Sequence, residues 1–265
     1  MNKVLFSLGL TLFAPGSALT QAPISGTGFE VASIKPTDPA FQGTRMGGSP
    51  SGGFYAKGAT LKILIQQAYD LRDFQISGGP RWIEIERYDI TAKGEGLGVT
   101  EEELSRMPEE QRNVFKARLL LKLQLLLADR FQLKVHKETK EMPLYGLAVA
   151  RSGSKLQTAL DDGKNAGSIS ISRSDTGNTD ITGRKMSMSS LARFVSSQIG
   201  RTVRDQTGLT GEYDFKLSFA QDMVEGADGP SIFTAIQDQL GLRLDSQKGP
   251  VEVLIVDSAQ RPSEN

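Results

Sequence analysis

The chain has 265 residues, with 31 Lys plus Arg against 31 Asp plus Glu, 28 Gly, one His and no Cys. At 38% hydrophobic and 23% charged it has the composition of an ordinary folded protein, long enough for one large domain or two small ones. Zero net charge removes the electrostatic footprint of nucleic-acid binding, and the absence of Cys with a single His excludes thiolate zinc sites, iron–sulfur clusters, Cys nucleophiles and multi-His metal centres.

Residues 1–22 read as a secretory signal peptide. Lys3 is a short positive region, Val4 to Ala14 an apolar run, and Pro15-Gly16 a break before small residues. The apolar run is about half of the roughly 20 residues that a membrane span needs. Cleavage is expected after Ala18 or Ala22. The mature chain then carries 30 basic and 31 acidic groups, has no later transmembrane span, and is expected to be periplasmic or secreted.

Next comes an irregular stretch, residues 43–58, holding six Gly, one Pro and two Ser. It lacks G-x-x-x-x-G-K-[ST], so a nucleotide phosphate loop is not expected. At this length it reads as a recognition loop carrying Arg45, Met46, Phe54 and Tyr55, or as a plain hairpin with Gly turns. Ala59 to Asp70 places Leu61, Leu64, Ile65, Ala68 and Tyr69 on one helical face, with Thr60 as cap. A strand at Phe74–Ile76, a Gly-Gly-Pro turn and the alternating strand Tyr88–Ala92 follow. The lone Trp82, after that turn, is a core anchor or an aromatic contact. Leu119, Leu123, Leu126 and Leu127 form a second stripe, leading to Phe131–Val135, a polar turn, Pro143 and the strand Leu144–Ala150.

The same order recurs downstream. Ser187 caps a stripe of Met188, Leu191, Phe194, Val195, Gln198 and Ile199; Arg201–Val203, a Gly-containing turn and Tyr213–Leu217 follow. Then come Ile232, Ile236 and Leu240, the strand Gly241–Leu244, a polar turn, Pro250 and Val251–Val256. The expected fold class is therefore α+β, in two tandem divergent repeats, each with two helices packed on a small mixed β-sheet. Residues 23–150 form the first repeat with the Gly-rich insertion 43–58, polar residues 151–167 are the linker, and 168–265 form the second repeat.

Phe29–Pro36 (FEVASIKP), Gly78–Trp82 (GGPRW), Tyr88–Lys93 (YDITAK), Leu126–Phe131 (LLADRF), Asp205–Phe215 (DQTGLTGEYDF), Gln239–Leu244 (QLGLRL), Val253–Asp257 (VLIVD) and Arg261–Asn265 (RPSEN) stand as motifs along the chain. Together they resemble an uncharacterised family of exported proteins found in many copies in soil bacteria, chiefly acidobacteria. The family is a domain of unknown function, so the resemblance implies no catalytic residues. Related regions occur beside membrane metalloprotease sensors of the antirepressor type, which implies an extracytoplasmic sensing or binding role. The protease motif itself is missing, since His136 has no second His near it. The order of elements in the second half, and less so in the first, is also similar to the short N-terminal domain of secretins and TonB-dependent receptors, which are docking modules.

Candidate catalytic chemistry is sparse. Ser152-Gly-Ser-Lys155 matches S-x-x-K but lies in a polar linker without the companion motifs of acyl enzymes. His136, among Lys134, Lys137 and Lys140, reads as an exposed strand histidine. Asp89, Asp205, Asp214 and Asp257 would have to converge to form a carboxylate pair or a Ca²⁺ site. Asp89 and Asp214 follow Tyr88 and Tyr213 at equivalent repeat positions, which favours a structural role. No cofactor or metal is expected. The leading function is a non-catalytic extracytoplasmic binding, docking or sensing module for an envelope protein or extracellular ligand, with Arg45, Met46, Phe54, Tyr55 and Trp82 as candidate binding residues. A hydrolase using paired carboxylates on glycan or peptide, and a structural envelope-assembly protein, are the competing classes.

Overall fold

The computed structural model describes residues 28–49, 52–94, 100–107, 109–160, 167–174, 177–220 and 229–263. The signal segment 1–22, positions 50–51 of the Gly-rich stretch and positions 161–166 of the linker lie outside the described residues.

The first half runs β1 (Val31–Pro36), β2 (Arg45–Gly48), β3 (Phe54–Thr60), α1 (Leu61–Tyr69), β4 (Ile76–Gly78), β5 (Arg87–Lys93), α2 (Glu101–Arg106), α3 (Glu109–Arg130) and β6 (Lys134–Val149). The second runs β7 (Gln157–Thr158), β8 (Ser168–Arg173), β9 (Thr179–Ser187), α4 (Met188–Ile199), β10 (Val203–Asp205), β11 (Glu212–Phe219), α5 (Ile232–Leu240) and β12 (Leu242–Ser258). The protein is α+β, with five helices and three four-stranded sheets among the described residues.

The helices begin and end where their sequences supply caps. Thr60 Oγ1 accepts from the Ile63 N–H, Ser187 Oγ from Ser190 and Ser231 Oγ from Thr234, each satisfying a donor that the first helical turn leaves open. Gly200 and Gly241 close α4 and α5 in the left-handed region, which a residue without Cβ enters at no steric cost. The α1 stripe buries Leu61, Leu64, Ile65 and Ala68, and the α4 stripe buries Met188, Leu191, Ala192 and Val195.

Two antiparallel sheets have matching orders, β1-β5-β3-β2 and β7-β11-β9-β8, and the third, β10-β6-β12-β4, takes two strands from each half. In that third sheet β6 and β12 pair antiparallel from Leu242↔Val149 to Ser258↔Lys134, while β10 joins β6 and β4 joins β12 in parallel. Each half therefore lends its short strand to the long strand of the other. Leu254 and Val256 of β12 complete the core built on α1, α3 and β5, and Leu147 of β6 completes the core built on α4, α5 and β11.

Three expectations change. The polar stretches before Pro143 and Pro250 are not turns; both lie inside continuous strands, facing each other as Pro143↔Lys248 and Pro250↔Glu141. Along the ribbon exposed polar residues alternate with apolar ones, and Leu144, Val251 and Val253 at its middle form a small buried cluster between the two larger cores. The helix count per half is also unequal. The charged stretch after Thr100 forms the extra helix α2, started by a capping box in which Thr100 Oγ1 accepts from the Glu103 N–H and the Glu103 carboxylate accepts from the Thr100 N–H. Finally, each half carries an antiparallel sheet of its own, and the mixed sheet is common to both.

Candidate binding surface

The Gly-rich stretch 43–58 is largely a hairpin, with β2 paired to β3 from Arg45↔Lys57 to Gly48↔Phe54. Strand alternation divides its side chains between two faces. Phe54 is buried and Met46 packs against the first core, whereas Arg45 and Tyr55 are exposed, Tyr55 at 52%. Trp82 sits in a 3-10 turn, Arg81–Glu84, partly buried against the same core. The five candidate binding residues are thus not gathered on one surface. On the outer face the Phe41 ring has Lys57 Nζ at 4.6 Å, with the Arg87 and Arg45 guanidinium carbons at 5.8 and 6.0 Å. Arg87 spends its donors on the carbonyls of Gly58, Phe41 and Gly43, which fixes the entry to the hairpin.

The inner side of the hairpin faces α3. Gly48 approaches Leu119 so closely that a Cβ would overlap its Cδ2, and this contact is one the residue type dictates. The turn beyond it is closed by Ser49, whose carbonyl accepts from the Gly52 N–H at 2.9 Å and whose hydroxyl accepts from the Gly53 N–H at 3.3 Å. Between this turn, α2 and α3 lies a groove of about 270 Å³. Leu104, Phe115 and Leu119 supply apolar surface, Gly48 leaves backbone exposed beside the buried Gly52, and Arg112, Lys116, Arg118 and Lys122 stand around it. No acidic residue lines it among the described residues. Lys116 also reaches Asp70 Oδ2 at 2.8 Å, and Lys122, 5% exposed, lies 5.9 Å over the Phe29 ring.

An apolar floor beneath cations of one sign suits a small molecule with a hydrophobic body and an anionic end. At about 30 Å³ per water the volume corresponds to roughly nine waters, room for a medium-length acyl chain or one aromatic ring.

The acids do not converge. Asp89 Oδ1 accepts from Thr37 Oγ1 at 2.7 Å and from the Gly58 N–H at 2.9 Å, holding the β-bulge between Ala56 and Ala59. Asp214 Oδ1 accepts from the Lys185 N–H at 2.8 Å, at the matching bulge of β9. Gly58 and Lys185 both have positive φ, 70° and 47°. The paired Tyr-Asp positions therefore do the same local work in two different sheets. Asp205 caps its own turn through Thr207. Asp257 lies at the other end of the ribbon: it meets His136, while Asp205 pairs with Leu147, eleven residues further along β6, or about 36 Å at 3.3 Å per residue.

His136 is exposed, with Nδ1 2.8 Å from Asp257 Oδ1 and Nε2 3.1 Å from Glu138 Oε1. Both ring nitrogens face acceptors, an arrangement only the imidazolium satisfies. Hydrogen bonding to Glu138 and then Asp257 accordingly raises its pKa above 6.5. Between the halves, Asp70, at the left-handed end of α1, accepts from Lys116 and from Arg193 at 3.2 Å. Burial pushes its pKa up, but the Lys116 hydrogen bond with the charges of Lys116, Arg193 and Arg72 outweighs it and holds the carboxyl below the usual range. Near the C-terminus Arg261 grips Glu86 at 2.7 Å and lies 5.2 Å over the Trp82 ring. Glu86 accepts in turn from Tyr88, whose hydroxyl is pushed up to about 12, first by burial and then by that carboxylate. Ser152 sits in a turn and Lys155 in the irregular segment after it, where Lys155 Nζ donates to the Asp238 carbonyl.

Arg112, Phe115, Arg118 and Lys122 are not among the candidates that the sequence suggests. The signal was present: Phe115 and Leu119 are four residues apart on a helix that also carries Arg112, Lys116, Arg118 and Lys122, each within three residues of one or the other.

These features define an α+β protein of two antiparallel sheets joined by a shared mixed sheet, with one apolar, cation-rimmed groove beside its Gly-rich hairpin. Over residues 62–259 the chain matches the family described as a protein of unknown function, DUF3738, and it belongs to that family. No curated protein and no solved structure matches the chain. No helix among the described residues is long and apolar enough to cross a membrane, and no His, Asp and Glu side chains there group as metal ligands.

Proposed function

We propose that this protein is an exported, non-catalytic binding module that takes a small anionic amphiphile into the groove between the β2–β3 hairpin and α3. The observation that carries the reading is the lining of the groove, apolar floor and cationic surround with no described acid. Export rests on Lys3, the apolar run Val4 to Ala14 and the small residues up to Ala22. The resemblance to exported soil-bacterial proteins and to secretin-type docking domains supports the same extracytoplasmic role. The chain is further read as two tandem divergent repeats, 23–150 and 168–265. The matching sheet orders and the two acid-held bulges support this; the 151–167 segment connects the repeats and also supplies β7, the edge strand beside β11, to the second sheet. Arg45 and Tyr55, on the outer face of the hairpin, are assigned to contact whatever the loaded module docks on; Met46, Phe54 and Trp82 support the hairpin from the core.

The test is equilibrium binding of decanoate and decanol to the mature chain, residues 23–265. Decanoate is expected to bind at least about tenfold more tightly, the equivalent of one charge-assisted contact of about 1.4 kcal/mol. Equal affinities, or no binding of decanoate, would overturn the proposal.

A further inference from the structure

β8 is the outermost strand of its sheet, and its free edge is long, regular and uncharged until its last residue. It pairs with β9 without a bulge from Ser168↔Arg184 to Arg173↔Thr179. Proteins usually blunt such edges with Lys, Pro, a bulge or extreme shortness. The other edges of the two antiparallel sheets are blunted in these ways: β1 carries Lys35 and Pro36, β2 is four residues with Arg45, and β7 is two residues. Among the described residues, β8 alone of these four presents, over Ser168–Ser172, an open row of backbone groups flanked by Ser and Ile.

Its sequence is also self-complementary. Ser168-Ile-Ser-Ile-Ser172 reads the same in both directions about Ser170. Ile169 and Ile171 lie opposite Gly183 and Ile181 on β9, and Ile181 is buried in the second core. The two isoleucines are therefore on the core side of the sheet, yet Ile169 is only partly buried and Ile171 is 58% exposed.

We infer that β8 pairs antiparallel with β8 of a second copy of this chain, across a two-fold axis through Ser170. In that register Ile169 of each copy meets Ile171 of the other and Ser168 meets Ser172. The two four-stranded sheets become one of eight strands, and the apolar stripe runs unbroken from one core to the next. Isologous pairing of this kind closes at two copies. The occupant is a second copy rather than an unrelated strand because every cross-strand pair is then like with like, aliphatic on the core side and hydroxyl on the other.

The chain has no Cys, so one introduced thiol reports the register cleanly. Directly opposed residues in an antiparallel pair have Cα atoms about 4.5 to 5.5 Å apart, inside the range a disulfide spans. In the mature chain, Ser170→Cys is expected to form disulfide-linked dimers at least about tenfold faster than Ser197→Cys, an exposed position on α4, because association raises the local thiol concentration. Light scattering on the Cys-free chain is expected to show dimer growing with concentration between about 1 and about 100 µM, the range of a small interface. Ile171→Lys should abolish that dimer while leaving the fold intact, since the side chain is mostly exposed. A chain monomeric throughout this range, equal cross-linking at both positions, or a dimer unaffected by Ile171→Lys would each overturn the inference.

Discussion

Removing the Asp89 carboxylate probes the claim that the paired Tyr-Asp motifs serve the fold rather than catalysis. In Asp89→Ala the buried Gly58 N–H loses its acceptor at 2.9 Å and Thr37 Oγ1 loses its own at 2.7 Å. A hydrogen bond to a charged group contributes about 1.5 to 3 kcal/mol, and an unsatisfied buried donor costs about 1 to 3 kcal/mol. These overlap, and the site is half-buried, so the expected loss is about 2 to 3 kcal/mol. For a domain of this size that lowers Tm by about 5 to 10 °C. Thr37→Val removes only the hydroxyl bond and should cost about 1 kcal/mol. Denaturant unfolding and calorimetry read both numbers. An Asp89→Ala chain within about 0.5 kcal/mol of the parent, the range of an ordinary surface change, would refute the reasoning.

The equivalent bulge in the second half gives an opposite sign: Lys185 holds a φ of 47° that glycine adopts freely, so Lys185→Gly should raise stability by about 0.5 to 1 kcal/mol in the same unfolding assay. His136 has a folded-state pKa raised above its unfolded value near 6.5, so its stabilising contribution is complete below pH 6.5 and is lost as pH rises through the folded pKa. As the chain's single histidine it gives one NMR titration, expected to have a midpoint above 6.5 that falls on Glu138→Gln or Asp257→Asn. Arg261→Ala removes the guanidinium over Trp82, the only tryptophan, and should change its fluorescence intensity and shift its emission; an unchanged spectrum would contradict the contact.

How much of this was legible in sequence differs by element. The α1, α4 and α5 stripes and the Thr60 and Ser187 caps could be read directly, because a helix's period and its first unsatisfied N–H groups are local properties. The β6–β12 ribbon could not: its exposed positions around Pro143 and Pro250 are polar and mimic turns, while the small cluster that buries Leu144, Val251 and Val253 forms only once the two distant strands pair. The pairing of His136 with Asp257 bridges 121 positions and follows only from the ribbon's register. Asp89 and Asp214 could be paired from their neighbouring tyrosines, although the bulges they hold could not be read. The groove needed the close approach of Gly48 to Leu119, and a run of glycines announces that something approaches without naming it.

Photolabelling with a diazirine-tagged decanoate, followed by peptide mapping of the mature chain, tests the central claim most directly. The label is expected on the segment spanning Arg112 to Lys122 and on the Gly48–Gly52 turn, with competition by untagged decanoate. Labelling concentrated elsewhere, or none that decanoate competes away, would contradict the account.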